Sequence, residues 1–217
     1  MSEFNYILDR IEKSTFTEYP FKFIYIENLF TEKHFREIQY ETSSNLGFEF
    51  IIFPGGTDVV LRFNIKSGIT KEINDLFSGQ DFKEVITSKF DISTCNSFYH
   101  DGGIQKYLSG YEITPHPDIR RKAFTYMINI NPEGIDGDIY THFMKMKPEY
   151  EYQYEIWKSI DRKWIEWNRC ETVFRHTINN SITMFKPKFN TIHAIKLNYD
   201  DSKYRRTQIY GNFWHYK

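Results

Sequence analysis

His116, Pro117 and Asp118, followed far along the chain by His193 and then by the adjacent Arg205 and Arg206, are the residues of this 217-residue sequence best suited to chemistry. A His-x-Asp tripeptide alone carries little weight, because seven histidines and twelve aspartates in this length give about 0.4 such matches by chance. Position in a strand changes that. Residues two apart in a strand share a face, so His116 and Asp118 would project together while Pro117 faces away. With a remote histidine they would occupy one triangular face of an octahedral ion and leave other positions open. Non-haem iron and zinc both accept three protein ligands of these types, so spacing alone leaves the metal open. The arginines add a planar fork suited to gripping a carboxylate bidentately.

Such a site needs strands to hold it, and the second half of the chain offers them. From about residue 94 the sequence runs in short aromatic and β-branched segments broken by Gly, Asn, Asp and Pro, the pattern of a sandwich or barrel. Strands are expected over 104–108, 111–114, 124–130, 139–146, 181–185, 191–197 and 207–214. Aromatic residues make up 18% of the chain, which suits such a fold. Ahead of this region, Ile7, Leu8 and Ile11 at helical spacing predict a helix over 5–13, and residues 21–26 read as a strand. Thr31 caps a helix predicted over 32–43. Pro54-Gly55-Gly56 marks a turn between two apolar runs, 48–53 and 59–65. Two further helices are expected near 71–78 and 82–90.

The chain length fits one domain, with residues 1–93 as a support region and 94–214 as the β core. Residues 147–176, rich in aromatic and charged side chains, read as an insertion or a lid over one mouth of the barrel. The alternative is an ordinary excursion containing a short helix. The net charge of −1 gives no field to attract nucleic acid or an anionic membrane. No apolar window is long enough to span a bilayer, and the polar N-terminus lacks the pattern of a secretory signal. Two cysteines without CxxC spacing, Cys95 and Cys170, point to a reducing, cytoplasmic setting.

Three local contexts then coincide. Tyr107-Leu-Ser-Gly110 precedes His116-Pro-Asp118, and Lys122-Ala-Phe-Thr125-Tyr-Met-Ile-Asn129 follows it. Phe185-Lys-Pro187 precedes Thr191-Ile-His193, and Arg205-Arg-Thr207 opens the closing segment. In this order they resemble the Fe(II)- and 2-oxoglutarate-dependent dioxygenases, particularly the prolyl 4-hydroxylase-like branch, over about residues 98–214. The resemblance implies a mainly β, α+β fold: a double-stranded β-helix, or jelly roll, with N-terminal helices packed on one sheet. It also implies Fe(II) held by His116, Asp118 and His193, with 2-oxoglutarate and O₂ as cosubstrates. The implied reaction is hydroxylation of a C–H bond coupled to conversion of 2-oxoglutarate to succinate and CO₂. A carboxylate at 118 rather than Gly or Ala argues against a halogenase, because no position is vacated for chloride.

The same resemblance assigns the far carboxylate of 2-oxoglutarate to an arginine, and strand parity must choose which. If Arg205 points inward so does Thr207, giving an Arg-x-Thr pair like the Arg-x-Ser of relatives; this is the preferred reading. Arg206, sharing its face with Gln208 and Tyr210, is the rival. Tyr107, Thr125 and Asn129 are expected to line the same pocket. Arg120, Arg121 and Trp157 are candidates for contacting the substrate, which is a protein side chain of prolyl type, in a peptide, or a small molecule. The competing function is a metal-binding or isomerase-type jelly roll without 2-oxoglutarate chemistry. Of the other histidines, His176 is the one spaced to replace His193, but it lacks the turn before it and the closing strand after it.

Overall fold

A computed structural model describes residues 3–43, 48–52, 59–63, 65, 67–93, 98–135, 137–157, 164–203 and 205–216. Cys95 and the expected Pro54-Gly55-Gly56 turn lie outside the described residues. In chain order the elements are α1 (Asn5–Lys13), β1 (Phe16–Thr17), β2 (Phe23–Glu27), α2 (Glu32–Ser43), β3 (Phe48–Ile52), β4 (Val59–Phe63), α3 (Gly68–Ser78) and α4 (Gln80–Lys89). They continue with β5 (Phe98–Tyr107), β6 (Glu112–His116), β7 (Lys122–Asn129), β8 (Thr141–Met146), α5 (Gln153–Trp157), β9 (Cys170–His176), β10 (Ser181–Phe185), β11 (Ile192–Lys196) and β12 (Arg206–His215).

The strands form two antiparallel sheets, an eight-stranded one ordered β1-β2-β10-β7-β12-β5-β4-β3 and a four-stranded one ordered β6-β11-β8-β9. Alternation decides which residues face where. On the larger sheet Ile24, Ile26, Ile104, Phe124, Tyr126, Ile128, Ile182, Met184, Ile209 and Phe213 turn outward and merge with Ile7, Ile11, Phe35, Ile38, Ile73, Phe77, Phe82 and Ile86 of α1–α4 in one apolar cluster. The helices therefore cover one face of the larger sheet, as the jelly-roll expectation requires. Tyr126 shows how tight this layer is: its ring overlies Gly211 across the β7–β12 pair, where an added Cβ would lie 2.2 Å from the ring. No helix among the described residues is long and apolar enough to cross a membrane.

Residues 147–157 and 164–169 pack against the outer face of the smaller sheet. There Tyr150, Tyr154, Ile165 and Trp167 cover Met144, Met146, Ile192 and Ala194. The chain then returns as β9, the edge strand of that sheet. Trp164 of this excursion reaches the metal-ligand candidates, its ring centre 4.7 Å from that of His116.

The inward faces are polar over much of their length. His176 is wholly buried, with Nε2 2.8 Å from Ser181 Oγ and Nδ1 3.1 Å from Thr183 Oγ1. Burial first, and the Arg206 charge second, push its pKa down to about 3. This sets a pH dependence with a definite sign. The unfolded chain has an ordinary histidine pKa near 6.5, so between about pH 6.5 and 3 it binds more protons than the folded protein. The His176 contribution to stability is therefore complete above pH 6.5 and is lost as pH falls towards 3. Going from pH 6.5 to 5 costs about 2 kcal/mol through this residue alone. Denaturant titrations from pH 7 to pH 5 should show that slope, and His176→Gln should reduce it by about one proton; an unchanged slope would rule His176 out as its source.

Candidate metal centre

His116 ends β6 and His193 lies early in β11, and the register sets them directly opposite each other. Cross-strand partners point to the same face, and their ring centres stand 4.6 Å apart. Both rings are held in the same way. His116 Nδ1 is 2.8 Å from the Thr114 carbonyl and His193 Nδ1 is 3.1 Å from the Thr191 carbonyl. A carbonyl only accepts, so in each ring Nδ1 carries a proton and Nε2 is the nitrogen left for a metal. That is the tautomer a metal ligand needs, oriented by a partner on the opposite ring nitrogen.

Asp118 follows β6 and completes the group: ligand atoms of His116, Asp118 and His193 all lie within 4.8 Å of one another, and all three residues are buried. Asp118 Oδ2 is 3.9 Å from His193 Nε2. Its other oxygen accepts from Lys122 Nζ at 2.6 Å. The Thr125 hydroxyl lies 3.1 Å from Asp118 Oδ2 and 3.1 Å from Asn212 Oδ1. One hydroxyl has one proton, so both contacts are satisfied when the Asn212 amide is turned to donate and Thr125 donates to Asp118. Burial by itself would raise the Asp118 pKa, but Lys122, His193 and His116 together hold it well below the usual carboxylate range. Two imidazoles presenting Nε2 and one ionised carboxylate, preassembled, fit a divalent first-row ion.

A second feature lies on β12. Arg206 is fully buried, its Nη2 donates to Thr141 Oγ1 at 2.8 Å, and its guanidinium carbon sits 4.8 Å from the centre of the Tyr107 ring. Nε and Nη1 are buried without a hydrogen-bond partner. Burial pulls the Arg206 pKa down, opposed only by the phenols of Tyr107, Tyr199 and Tyr111. Among the described residues no carboxylate pairs with it. An unmatched buried cation costs several kcal/mol, and the arrangement calls for an anion supplied from outside.

The sequence reading of this strand is corrected by one residue: Arg206, not Arg205, points into the barrel. Arg206 is the register partner of Tyr107, which faces inward. Arg205 and Thr207 take the other side, where they line a cleft of about 170 Å³ with Lys106 and Lys203. Thr207 spends its hydroxyl on the Arg205 carbonyl. Tyr107 lies against Arg206 and donates to Gln208 Oε1 at 3.0 Å. Gln208 in turn donates to Asn129, whose own amide donates to the His176 and Ile178 carbonyls. Asn129 is thus the floor of a closed polar chain, and Thr125 sits at Asp118 rather than beside the arginine. Arg120 is exposed, Arg121 is half-buried with its carbonyl bonded to His215 N, and Trp157 ends α5 on the outside of the smaller sheet. Thr141, Asn212 and Lys122 were given no role from sequence, and Gln208 was named only as sharing the face of Arg206; Thr141 and Gln208 share the inward parity that Arg206 now fixes.

No family model and no curated protein matches the sequence. Solved structures do match. A prolyl-4-hydroxylase from Pseudomonas putida superimposes with a TM-score of 0.59 at 10% identity, covering 99% of this chain and 100% of that one. A prolyl hydroxylase from Trichoplax adhaerens, solved with a hypoxia inducible factor peptide fragment, gives 0.54 at 12% identity, with 98% and 89% covered. HygX from Streptomyces hygroscopicus, with nickel and 2-oxoglutarate bound, gives 0.52 at 8% identity, with 99% and 87% covered. With its two sheets, its helical backing and its buried triad, this chain has the double-stranded β-helix fold of the iron- and 2-oxoglutarate-dependent oxygenases.

Proposed function

We propose that the protein is an Fe(II)- and 2-oxoglutarate-dependent dioxygenase that hydroxylates a C–H bond of a protein side chain or a small molecule. The observation that carries this reading is the conjunction of the His116–Asp118–His193 triad with Arg206, a buried cation that no acid among the described residues pairs with. Thr141, which anchors Arg206, sits opposite Ile195, two residues from the Phe143–His193 pair. At strand spacing this is roughly 7 Å along the sheet, a span suited to an extended five-carbon dicarboxylate reaching from metal to arginine.

Bound iron with 2-oxoglutarate and O₂ supplies the oxidising chemistry, in which 2-oxoglutarate gives succinate and CO₂ and the substrate C–H becomes C–OH. The chain does the rest. His116 and His193 present fixed lone pairs, and Asp118 supplies the anionic donor. Arg206, held by Thr141 and backed by Tyr107, grips the distal carboxylate and so orients the cosubstrate. The aromatic cluster of Phe21, Phe23, Phe143 and Phe185 closes the barrel beside His193 and keeps water from that side. Trp164, 52% exposed against His116, offers a surface for the substrate at the mouth.

Anaerobic titration of the Fe(II)-loaded protein with 2-oxoglutarate tests this directly. A weak visible charge-transfer band should grow to one equivalent and be absent in His193→Ala. Iron binding without the band would instead favour a jelly-roll metal protein that does not use 2-oxoglutarate.

A further inference from the structure

Lys122 opens β7, and simple alternation would put it with Phe124 and Tyr126 on the helix-covered face. It does not go there. The β7–β12 register runs Asn212↔Thr125 and Phe213↔Phe124, then shifts to Trp214↔Lys122, leaving Ala123 without a partner. This is a β-bulge, a device that re-aims side chains next to active sites. Ala123 joins Phe124 in the outer apolar cluster. Lys122 is released to the interior face, where Nζ meets Asp118 Oδ1 at 2.6 Å and stands 5.4 Å from the centre of the Trp214 ring. Its side chain is 18% exposed, whereas that of Asp118 is 3% exposed.

We propose that Lys122 is a positioning residue that holds one oxygen of Asp118, leaves Oδ2 as the single metal-binding oxygen, and biases the centre towards anionic co-ligands. The inference rests on the metal and 2-oxoglutarate reading given above. Its logic is electrostatic. An ammonium on the ligand carboxylate draws charge from the donor and repels a dication, so it weakens metal binding. Once the metal is in place, the same ammonium adds attraction for an incoming dianion. Lys122 therefore acts with opposite sign on metal and cosubstrate. A residue that merely supported the fold would, on removal, weaken both.

Isothermal titrations with Co(II), then with 2-oxoglutarate on the Co(II)-loaded protein, read the two effects without any turnover. Lys122→Met should bind Co(II) several-fold tighter and 2-oxoglutarate about tenfold more weakly, whereas Lys122→Arg should stay within about twofold of the parent for both. The visible spectrum of bound Co(II) should change in Lys122→Met, because the freed Oδ1 can coordinate, and stay unchanged in Lys122→Arg. Lys122→Gln keeps a hydrogen bond without the charge, and it should show the same opposed shifts should the Met variant fail to fold. Parallel losses of Co(II) and 2-oxoglutarate, or no change in either, would overturn the role given to Lys122 while leaving the metal centre in place. A parent protein that binds no Co(II) would remove the metal reading itself and this inference with it.

Discussion

Replacing Arg206 with Met should lower the affinity for 2-oxoglutarate at least about thirtyfold while leaving the ligand-free protein as stable as before, or more so. The two halves of this expectation have one origin. In the ligand-free state Arg206 is wholly buried, with Nε and Nη1 unpartnered. Its burial is a cost that the Thr141 hydrogen bond and the Tyr107 ring only partly offset. Replacing a whole buried ion pair by apolar side chains is often neutral or stabilising by about 1–4 kcal/mol, and Arg206 has no carboxylate partner among the described residues that its loss would leave uncompensated. In the bound state the same substitution leaves the distal carboxylate without its partner, a loss of about 2–5 kcal/mol. Thermal unfolding of the ligand-free variant and calorimetry on the Co(II)-loaded form measure the two halves separately. Arg205→Ala is the control and should change 2-oxoglutarate binding less than about twofold, since Arg205 lines the opposite cleft. If Arg205→Ala abolished binding and Arg206→Met did not, the barrel-facing assignment would be wrong.

The contrast between these neighbouring arginines marks where the sequence stopped being informative. The triad was readable because a two-residue spacing in a strand forces a shared face, and the turn-then-strand context of His193 picked it over His176. Parity at 205–206 was not, because residues 200–205 carry no alternation that would tie them to a neighbouring strand. What fixes it is the pairing of Arg206 with Tyr107, a contact between segments far apart in sequence. The same limit applies to β5, expected only from residue 104. His100-Asp101-Gly102-Gly103 reads as a strand breaker, yet the strand begins at Phe98 and runs through it. Gly102 is required there, since a Cβ would lie 2.6 Å from the His100 ring and 2.7 Å from the Tyr210 carbonyl. The helices, by contrast, were legible locally, α1 from its apolar spacing and α2–α4 from candidate caps, and shifted by only a few residues at α3 and α4. Lys122 was hidden for a different reason: a bulge reverses the parity on which every strand argument depends.

Asp118→Ala should produce the largest loss of all, at least about a thousandfold in affinity for Fe(II) or Co(II). Two effects add. The centre loses its only anionic protein donor, reducing three ligands to two neutral imidazoles. Lys122, whose partner has gone, also remains beside the vacated position as a positive charge that opposes a dication. The fold should tolerate the change better than a deeply buried broken ion pair would, because Lys122 retains a solvent-facing fraction and can swing its ammonium outward along its aliphatic stem. This makes the second effect separable from the first. Adding Lys122→Met to Asp118→Ala should recover part of the lost Co(II) affinity, although each residue lies in the same centre and intuition would expect the double variant to be worse. Calorimetry across the four proteins of that cycle gives the coupling directly. Parent-like Co(II) binding by Asp118→Ala would reject the triad, whereas a double variant no better than Asp118→Ala alone would confine the loss to the missing oxygen donor and leave no electrostatic part for Lys122.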